Sequence, residues 1–229
     1  MALLELEGVE KTYHQGKVEV PALRGVDLTV DTGEFTSIAG PSGSGKTTLL
    51  NVIGCLDKPT AGSVYLEGEE IDELSKDELA MRRRENLGFI FQDFNLIPVL
   101  TAYENVEFAI KLVDDKSKEE IRTQVMDILE AVGLGDLADR RPNELSGGQK
   151  QRVSIARALV KHPKLVLADE PTANLDSETS HDVLKVMVEM NEKLDTTFIF
   201  STHDPLVMDY AQRLIHIKDG QIADDKQTV

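Results

Sequence analysis

The chain has 229 residues and carries 25 basic against 41 acidic side chains, a formal charge of −16. That length supports one sizeable core and excludes two large domains. The charge excludes a general nucleic-acid binder, which needs a positive field, and 5% aromatics without Trp leaves little material for stacking bases. Residues 1–39 read as short strands and turns. Leu4, Leu6 and Val9 are separated by charges and Gly8, and Val20 to Val30 carries Gly25. Asp31-Thr32-Gly33-Glu34 is a turn signal, followed by a compact strand, Phe35 to Ala39. A glycine-rich loop then precedes an apolar run of helical pattern, Lys46 to Leu56. Pro59 to Gly62 predicts a turn, and Val64 with Leu66 a strand.

Residues 69–140 are more helical. Ser75/Glu78 and Ser117/Glu120 are capping-box pairs. Ile121, Val125, Ile128, Leu129 and Val132 follow the helical period, and Gly133 and Gly135 end it. Gly88 to Phe91 predicts a strand. The reading is one domain over 1–229 with an inserted helical subdomain over approximately 93–160. Val153, Ala156, Leu159 and Val160 lie on one side of a further helix. Leu165 to Ala168 is an unbroken apolar strand, the pattern of a parallel strand covered on both faces. Val183 to Leu194 predicts an amphipathic helix, Thr197 to Phe200 a buried strand, and Ile215 to Ile222 a hairpin turning at Asp219-Gly220. Strands alternating with helices predict an α/β fold.

No apolar run approaches the roughly 18 residues a membrane span needs. Met1 to Glu5 has no basic, then apolar, leader pattern. The one cysteine, Cys55, sits in an apolar run and is read as packing. These features predict a reducing, cytoplasmic setting without direct membrane insertion.

Three segments carry chemistry. Gly40-Pro41-Ser42-Gly43-Ser44-Gly45-Lys46-Thr47 fits the phosphate-loop pattern completely, between a strand and a helix. Its glycines let backbone N–H groups wrap a phosphate, and the helix N-terminus adds favourable charge. Lys46 can reach the β- and γ-phosphates, the Thr47 hydroxyl can sit on Mg²⁺, and the adjoining Thr48 is counted with the nucleotide-binding residues. Second, an apolar strand ends in Asp169-Glu170. Asp169 is placed to orient Mg²⁺, and Glu170 to polarise a water toward the γ-phosphorus. Third, Leu145-Ser146-Gly147-Gly148-Gln149 opens another helix. It is either a second anion cradle or a plain helix cap, and one nucleotide needs only one cradle.

These segments resemble the nucleotide-binding subunit of ATP-binding-cassette (ABC) transporters, over essentially the whole chain. The resemblance implies a P-loop NTPase cassette with a RecA-like core, an N-terminal antiparallel β region and a helical subdomain. It implies that Tyr13 stacks on adenine and that Gln92 contacts Mg²⁺. It also implies that Asp176, in Asn174-Leu175-Asp176, faces a partner subunit and that His203 holds the γ-phosphate or the attacking water. The spare cradle then has a use. Ser146, Gly147, Gly148 and Gln149 of one copy close on the ATP held by a second copy, head to tail. Intact Glu170 and His203 imply a competent ATPase, with ATP and Mg²⁺ as cofactors.

Asn95-Leu96-Ile97-Pro98, Leu100 to Val106, Thr172 to Asp176 and Gly54-Cys55-Leu56-Asp57 resemble the macrolide-export and lipoprotein-release group. That likeness implies separate integral membrane permease subunits. The ATPase then sits peripherally on the cytoplasmic face of the inner membrane, and the apolar stretch Gln92 to Tyr103 takes part in receiving the permease. An importer ATPase, a cell-division ATPase and a soluble superfamily member are the competing readings. The last is disfavoured by the absence of a second cassette or a long coiled-coil insertion.

Overall fold

The computed structural model describes residues 2–16, 18–113 and 116–228. In chain order the elements are β1 (Ala2–Gln15), β2 (Val18–Asp31), β3 (Phe35–Ala39), α1 (Lys46–Ile53), β4 (Ala61–Leu66), β5 (Glu69–Glu70), α2 (Lys76–Asn86), β6 (Leu87–Ile90), α3 (Ala102–Lys111), α4 (Lys118–Ala131), α5 (Gly147–Leu159), β7 (Leu165–Asp169), α6 (Ser177–Leu194), β8 (Thr197–Thr202), α7 (Pro205–Met208), β9 (Arg213–Lys218) and β10 (Gln221–Gln227). They fall into two compact units, residues 1–83 with 197–229, and residues 84–196.

The first unit holds an antiparallel sheet of order β2-β1-β4-β5. Leu4 pairs with Val30, Leu6 with Leu28 and Val9 with Val26, and all six are buried. The N-terminal region therefore departs from the short strands expected of it, forming two strands of 14 residues each. Gly8 and Gly25 do not break them. Both take left-handed φ, 56° and 76°, where the pairing register shifts between Leu6 and Val9 and again next to Val9. Each glycine bends the ladder as a bulge rather than ending it.

The same unit carries β3 between β8 and β9, parallel to both, with β10 closing an antiparallel hairpin on β9. All five residues of β3 are buried, and Phe35 meets Phe200 at 4.9 Å between ring centroids. Helix α1 buries Leu49, Leu50, Val52 and Ile53. It stops at Ile53, short of the expected Leu56, because the chain turns at Gly54 and Cys55 takes φ 56°. Leu79 of α2 is buried as its spacing suggests, whereas Met81 is half exposed.

The second unit pairs β6 and β7 in parallel. Helices α3, α4 and α5 each begin with a complete capping box, at Thr101, Ser117 and Ser146. Ile121, Val125, Ile128, Leu129 and Val132 are all buried, and Gly133 at φ 74° ends that run. A side chain on Gly88 of β6 would lie 2.8 Å from the Ala158 carbonyl, so the glycine is what lets α5 approach the strand. Among the described residues no helix is long and apolar enough to cross a membrane.

Candidate functional site

In the first unit, Ala39 at the end of β3 lies opposite Thr202 at the end of β8. Gly40 and His203 therefore leave neighbouring parallel strands at the same carboxyl edge, where ligands of such sheets bind. Gly40 has no alternative, since a Cβ there would lie 2.3 Å from the Ile217 carbonyl oxygen. Gly45 is equally constrained, with φ 108° and a Cβ position 2.7 Å from the Ala22 oxygen. Gly43 is left-handed at φ 78° with open space around it. Pro41, Ser42 and Thr47 are exposed, and Thr48 is half-buried.

Gly45 is the N-cap of α1, with no side-chain cap and no acidic residue in the first turn. The positive end of that helix is thus left for an anion. Lys46 is only 8% exposed and folds into its own loop, its Nζ donating to Gly40 O at 2.8 Å and Pro41 O at 3.1 Å. A buried ammonium held by two backbone carbonyls would gain from a phosphate. The Ser44 hydroxyl is buried and has no hydrogen-bond partner among the described residues. On these observations the loop fits a polyphosphate.

Two further groups brace this half. The Gly220 amide, at the β9–β10 turn, donates to Ser44 O at 2.9 Å, and its carbonyl accepts from Arg24 N at 2.9 Å. Tyr13, on β1, is half-buried and donates its hydroxyl to Asp57 at 3.0 Å. His203 is exposed just beyond β8.

The second unit repeats the strand-end logic. Ile90 of β6 lies opposite Ala168 of β7, so Gln92 and Glu170 each follow two residues past matched positions. Asp169 and Glu170 are half-buried. Glu170 takes left-handed φ, 48°, a conformation that costs a bulky residue about 1–2 kcal/mol and needs support. Support comes from fully buried Gln151, whose Nε2 donates to Pro171 O at 2.6 Å, and from Ala173 N bonding to Glu170 O at 3.2 Å.

Gln92 is exposed, and its carbonyl accepts from Asn174 Nδ2 at 3.1 Å. The same amide donates to Asp93 at 3.0 Å. Phe94 and Asn95, both at left-handed φ, have their carbonyls held by the Arg157 guanidinium of α5. One helix thus reaches both the Glu170 turn, through Gln151, and the loop after Gln92, through Arg157.

At the start of α5, Ser146 Oγ accepts from Gln149 N at 3.3 Å, and Gln149 Oε1 accepts from Ser146 N at 2.9 Å. Both side chains cap their own helix. A Cβ on Gly148 would lie 2.4 Å from Thr179, and one on Gly147 3.0 Å from Leu175, so the glycines allow close packing on the Asp176 region. Asp176 caps α6, accepting from Thr179 N at 3.0 Å and from the Thr179 hydroxyl at 2.7 Å. Those bonds hold its carboxyl below the usual range.

Thr47, Gln92 and Asp169 all offer oxygen ligands, the donor type that suits Mg²⁺. Gln151 and Arg157 are not singled out by sequence, and Asp57 and Gly220 read only as parts of the Gly54-Cys55-Leu56-Asp57 segment and the Asp219-Gly220 turn, without their contacts to Tyr13 and Ser44. Only the Gln and Arg sharing a helix with the Ser146 segment carried a hint, and their partners lie far along the chain.

The chain matches the family model described as ABC transporter over residues 23–173. It is 45% identical over 230 residues to a macrolide export ATP-binding/permease protein of Syntrophobacter fumaroxidans, covering all of this chain and 32% of that one. Against an uncharacterized ABC transporter ATP-binding protein of Methanocaldococcus jannaschii it is 47% identical, covering 96% and 95%. The chain thus spans about a third of the macrolide-export relative and nearly all of the archaeal one. Its fold superimposes with TM-score 0.90 on a dimeric, post-hydrolysis structure of the ATP-binding cassette MJ0796 bound to ADP and Pi, at 44% identity and 99% coverage of both chains. A structure of cbiO1 from Clostridium perfringens, part of the ABC transporter complex cbiONQ, aligns with TM-score 0.88 at 33% identity, covering 99% and 88%. With the phosphate loop and strand-end carboxylates in place, the chain belongs to the ABC transporter family, as an ATP-binding cassette that hydrolyses ATP.

Proposed function

We propose that this ATPase powers an inner-membrane transporter of the export or extraction type, acting on a macrolide, lipoprotein, peptide or lipid-like substrate. The macrolide-export name of several relatives at 45–48% identity supports that direction. The observation that carries the catalytic reading is the strand-end pair Asp169-Glu170, with Glu170 held in a left-handed turn.

Tyr13 stacks on adenine. Residues Gly40 to Thr48 cradle the phosphates, and Lys46 binds the β- and γ-oxygens. Mg²⁺, held by Thr47, Gln92 and Asp169, would neutralise developing phosphate charge. Glu170 accepts a proton from the attacking water, and His203 steadies that water or the γ-phosphate. Two copies meet head to tail around two ATP, with Ser146, Gly147, Gly148 and Gln149 on the partner's nucleotide and Asp176 facing the partner chain. The dimeric MJ0796 structure supports this arrangement. The helical subdomain, approximately 93–160 within one cassette, receives integral permease subunits. Exposed Val99, Phe108 and Leu112 support that docking. The protein then sits peripherally on the cytoplasmic membrane face, held by protein contacts, because a charge of −16 gives no attraction to anionic lipid.

Glu170→Gln tests the reading. Steady-state hydrolysis falls by about 100-fold or more, the scale of a lost general base, while ATP binding persists. Light scattering of that variant at saturating Mg-ATP shows a dimer. Unchanged turnover removes Glu170 from its role, and a persistent monomer removes the shared-site arrangement.

A further inference from the structure

Asp57 closes the Gly54-Cys55-Leu56-Asp57 motif, which the nucleotide chemistry above leaves without a task. Its carboxylate is the centre of a small polar cluster. Oδ2 accepts from the Tyr13 hydroxyl at 3.0 Å. Oδ1 accepts from Lys11 Nζ at 2.6 Å and from the Lys58 amide at 2.8 Å. Lys11 also donates to the Lys58 carbonyl at 2.6 Å.

Lys11 and Tyr13 are two residues apart on β1, so the strand's period of two sends both side chains to one face. There the Lys11 ammonium lies over the Tyr13 ring, 5.1 Å from its centroid. A tyrosine on an extended strand can turn about two side-chain bonds. Here the ring is gripped at its hydroxyl by Asp57 and at its face by Lys11. Burial opposes the Asp57 charge, but the bonds from Lys11, Tyr13 and the Lys58 amide outweigh it and hold the carboxyl below its usual range. The Asp57 segment is not kept in place by this carboxylate alone, because Thr60 N bonds to Glu10 O at 2.7 Å and Thr12 N to Thr60 Oγ1 at 2.7 Å.

We propose that Asp57, with Lys11, is a positioning residue that locks the Tyr13 ring in the orientation that receives the nucleotide base. This rests on the reading of Tyr13 as the adenine-stacking residue. A ring already ordered loses less side-chain freedom on binding, so the lock raises affinity for base-containing ligands alone. A phosphate without a base gains nothing from it.

The test is calorimetric titration of the full chain and its variants with Mg-ADP and with Mg-pyrophosphate, which lacks the base. Asp57→Asn weakens Mg-ADP binding about five-fold, the scale of one hydrogen bond's net contribution, and leaves pyrophosphate binding unchanged. Tyr13→Phe also weakens Mg-ADP binding, and the double variant loses less than the sum of the two single losses, because the Asp57–Tyr13 bond is shared while Tyr13 also bonds to Thr48 and Asp57 also holds Lys11. Equal weakening of both ligands, or additive losses, shows a general structural role for Asp57 and overturns the proposal. So does unchanged Mg-ADP binding in Asp57→Asn while Tyr13→Ala weakens it. If Tyr13→Ala itself binds Mg-ADP normally, the stacking reading fails instead.

Discussion

Gln151 donates its side-chain amide to the carbonyl of Pro171 at 2.6 Å, one residue beyond Glu170. Its other end, Oε1, is buried and has no hydrogen-bond partner among the described residues. A fully buried glutamine with half its polar capacity idle is retained against a solvation cost. What it secures is the strained turn that presents the Glu170 carboxylate. Gln151→Leu removes the idle oxygen but strands the Pro171 carbonyl, so the net destabilisation is about 1–3 kcal/mol. Thermal melts measure that loss. Turnover falls with the lost support of the turn while nucleotide affinity stays near normal.

Gly45→Ala meets two obstacles, a φ of 108° and the Ala22 carbonyl 2.7 Å from the new methyl group. The loop has to shift at the residue that opens α1. The variant loses about 2 kcal/mol or more of stability and binds Mg-ADP more weakly, read by denaturant titration and calorimetry.

Arg157→Leu releases the carbonyls of Phe94 and Asn95, two consecutive left-handed residues. Neither conformation is favoured without that grip. Amide hydrogen exchange over residues 94–100 accelerates in the variant, while α6 keeps its protection. Global stability drops by about 1–3 kcal/mol from the charged hydrogen bonds lost.

Burial pushes the Lys161 ammonium down to about 8. The folded state then gives up its proton before the unfolded chain does, so between about pH 8 and 10.5 the unfolded state binds more protons. Stability contributed at this position therefore rises with pH through that window, and the full penalty of the buried charge is present below it. In Lys161→Met that slope disappears. Urea melts at pH 7.5 and 9.5 show wild type gaining on the variant as pH rises.

The features legible in sequence were those that depend on near neighbours. Gly40 to Thr47 reads as a phosphate loop because the glycines and Lys46 lie within eight residues. Ser117 with Glu120 reads as a helix start because the cap closes over three. Thr101 with Glu104 follows the same rule, but the apolar residues on either side of it, Leu100 and Ala102, mask the cap in the sequence. The braces behind the site were not legible. Gln151 meets Pro171 across 20 positions, and Arg157 meets Asn95 across 62. The left-handed turn at Glu170 was hidden too, since nothing local marks a glutamate for that conformation. Gly8 and Gly25 misled in the other direction, reading as breaks where the paired strand absorbs them as bulges.

The Gly220 amide, bonded to the Ser44 carbonyl inside the phosphate loop, places a reporter near the end of the chain on an event near its beginning. Whatever immobilises Ser44 also shields that proton from solvent. Site occupancy can then be followed at one backbone position outside the phosphate loop. By the same link, loosening the final hairpin acts as a dial on how tightly the loop grips its anion.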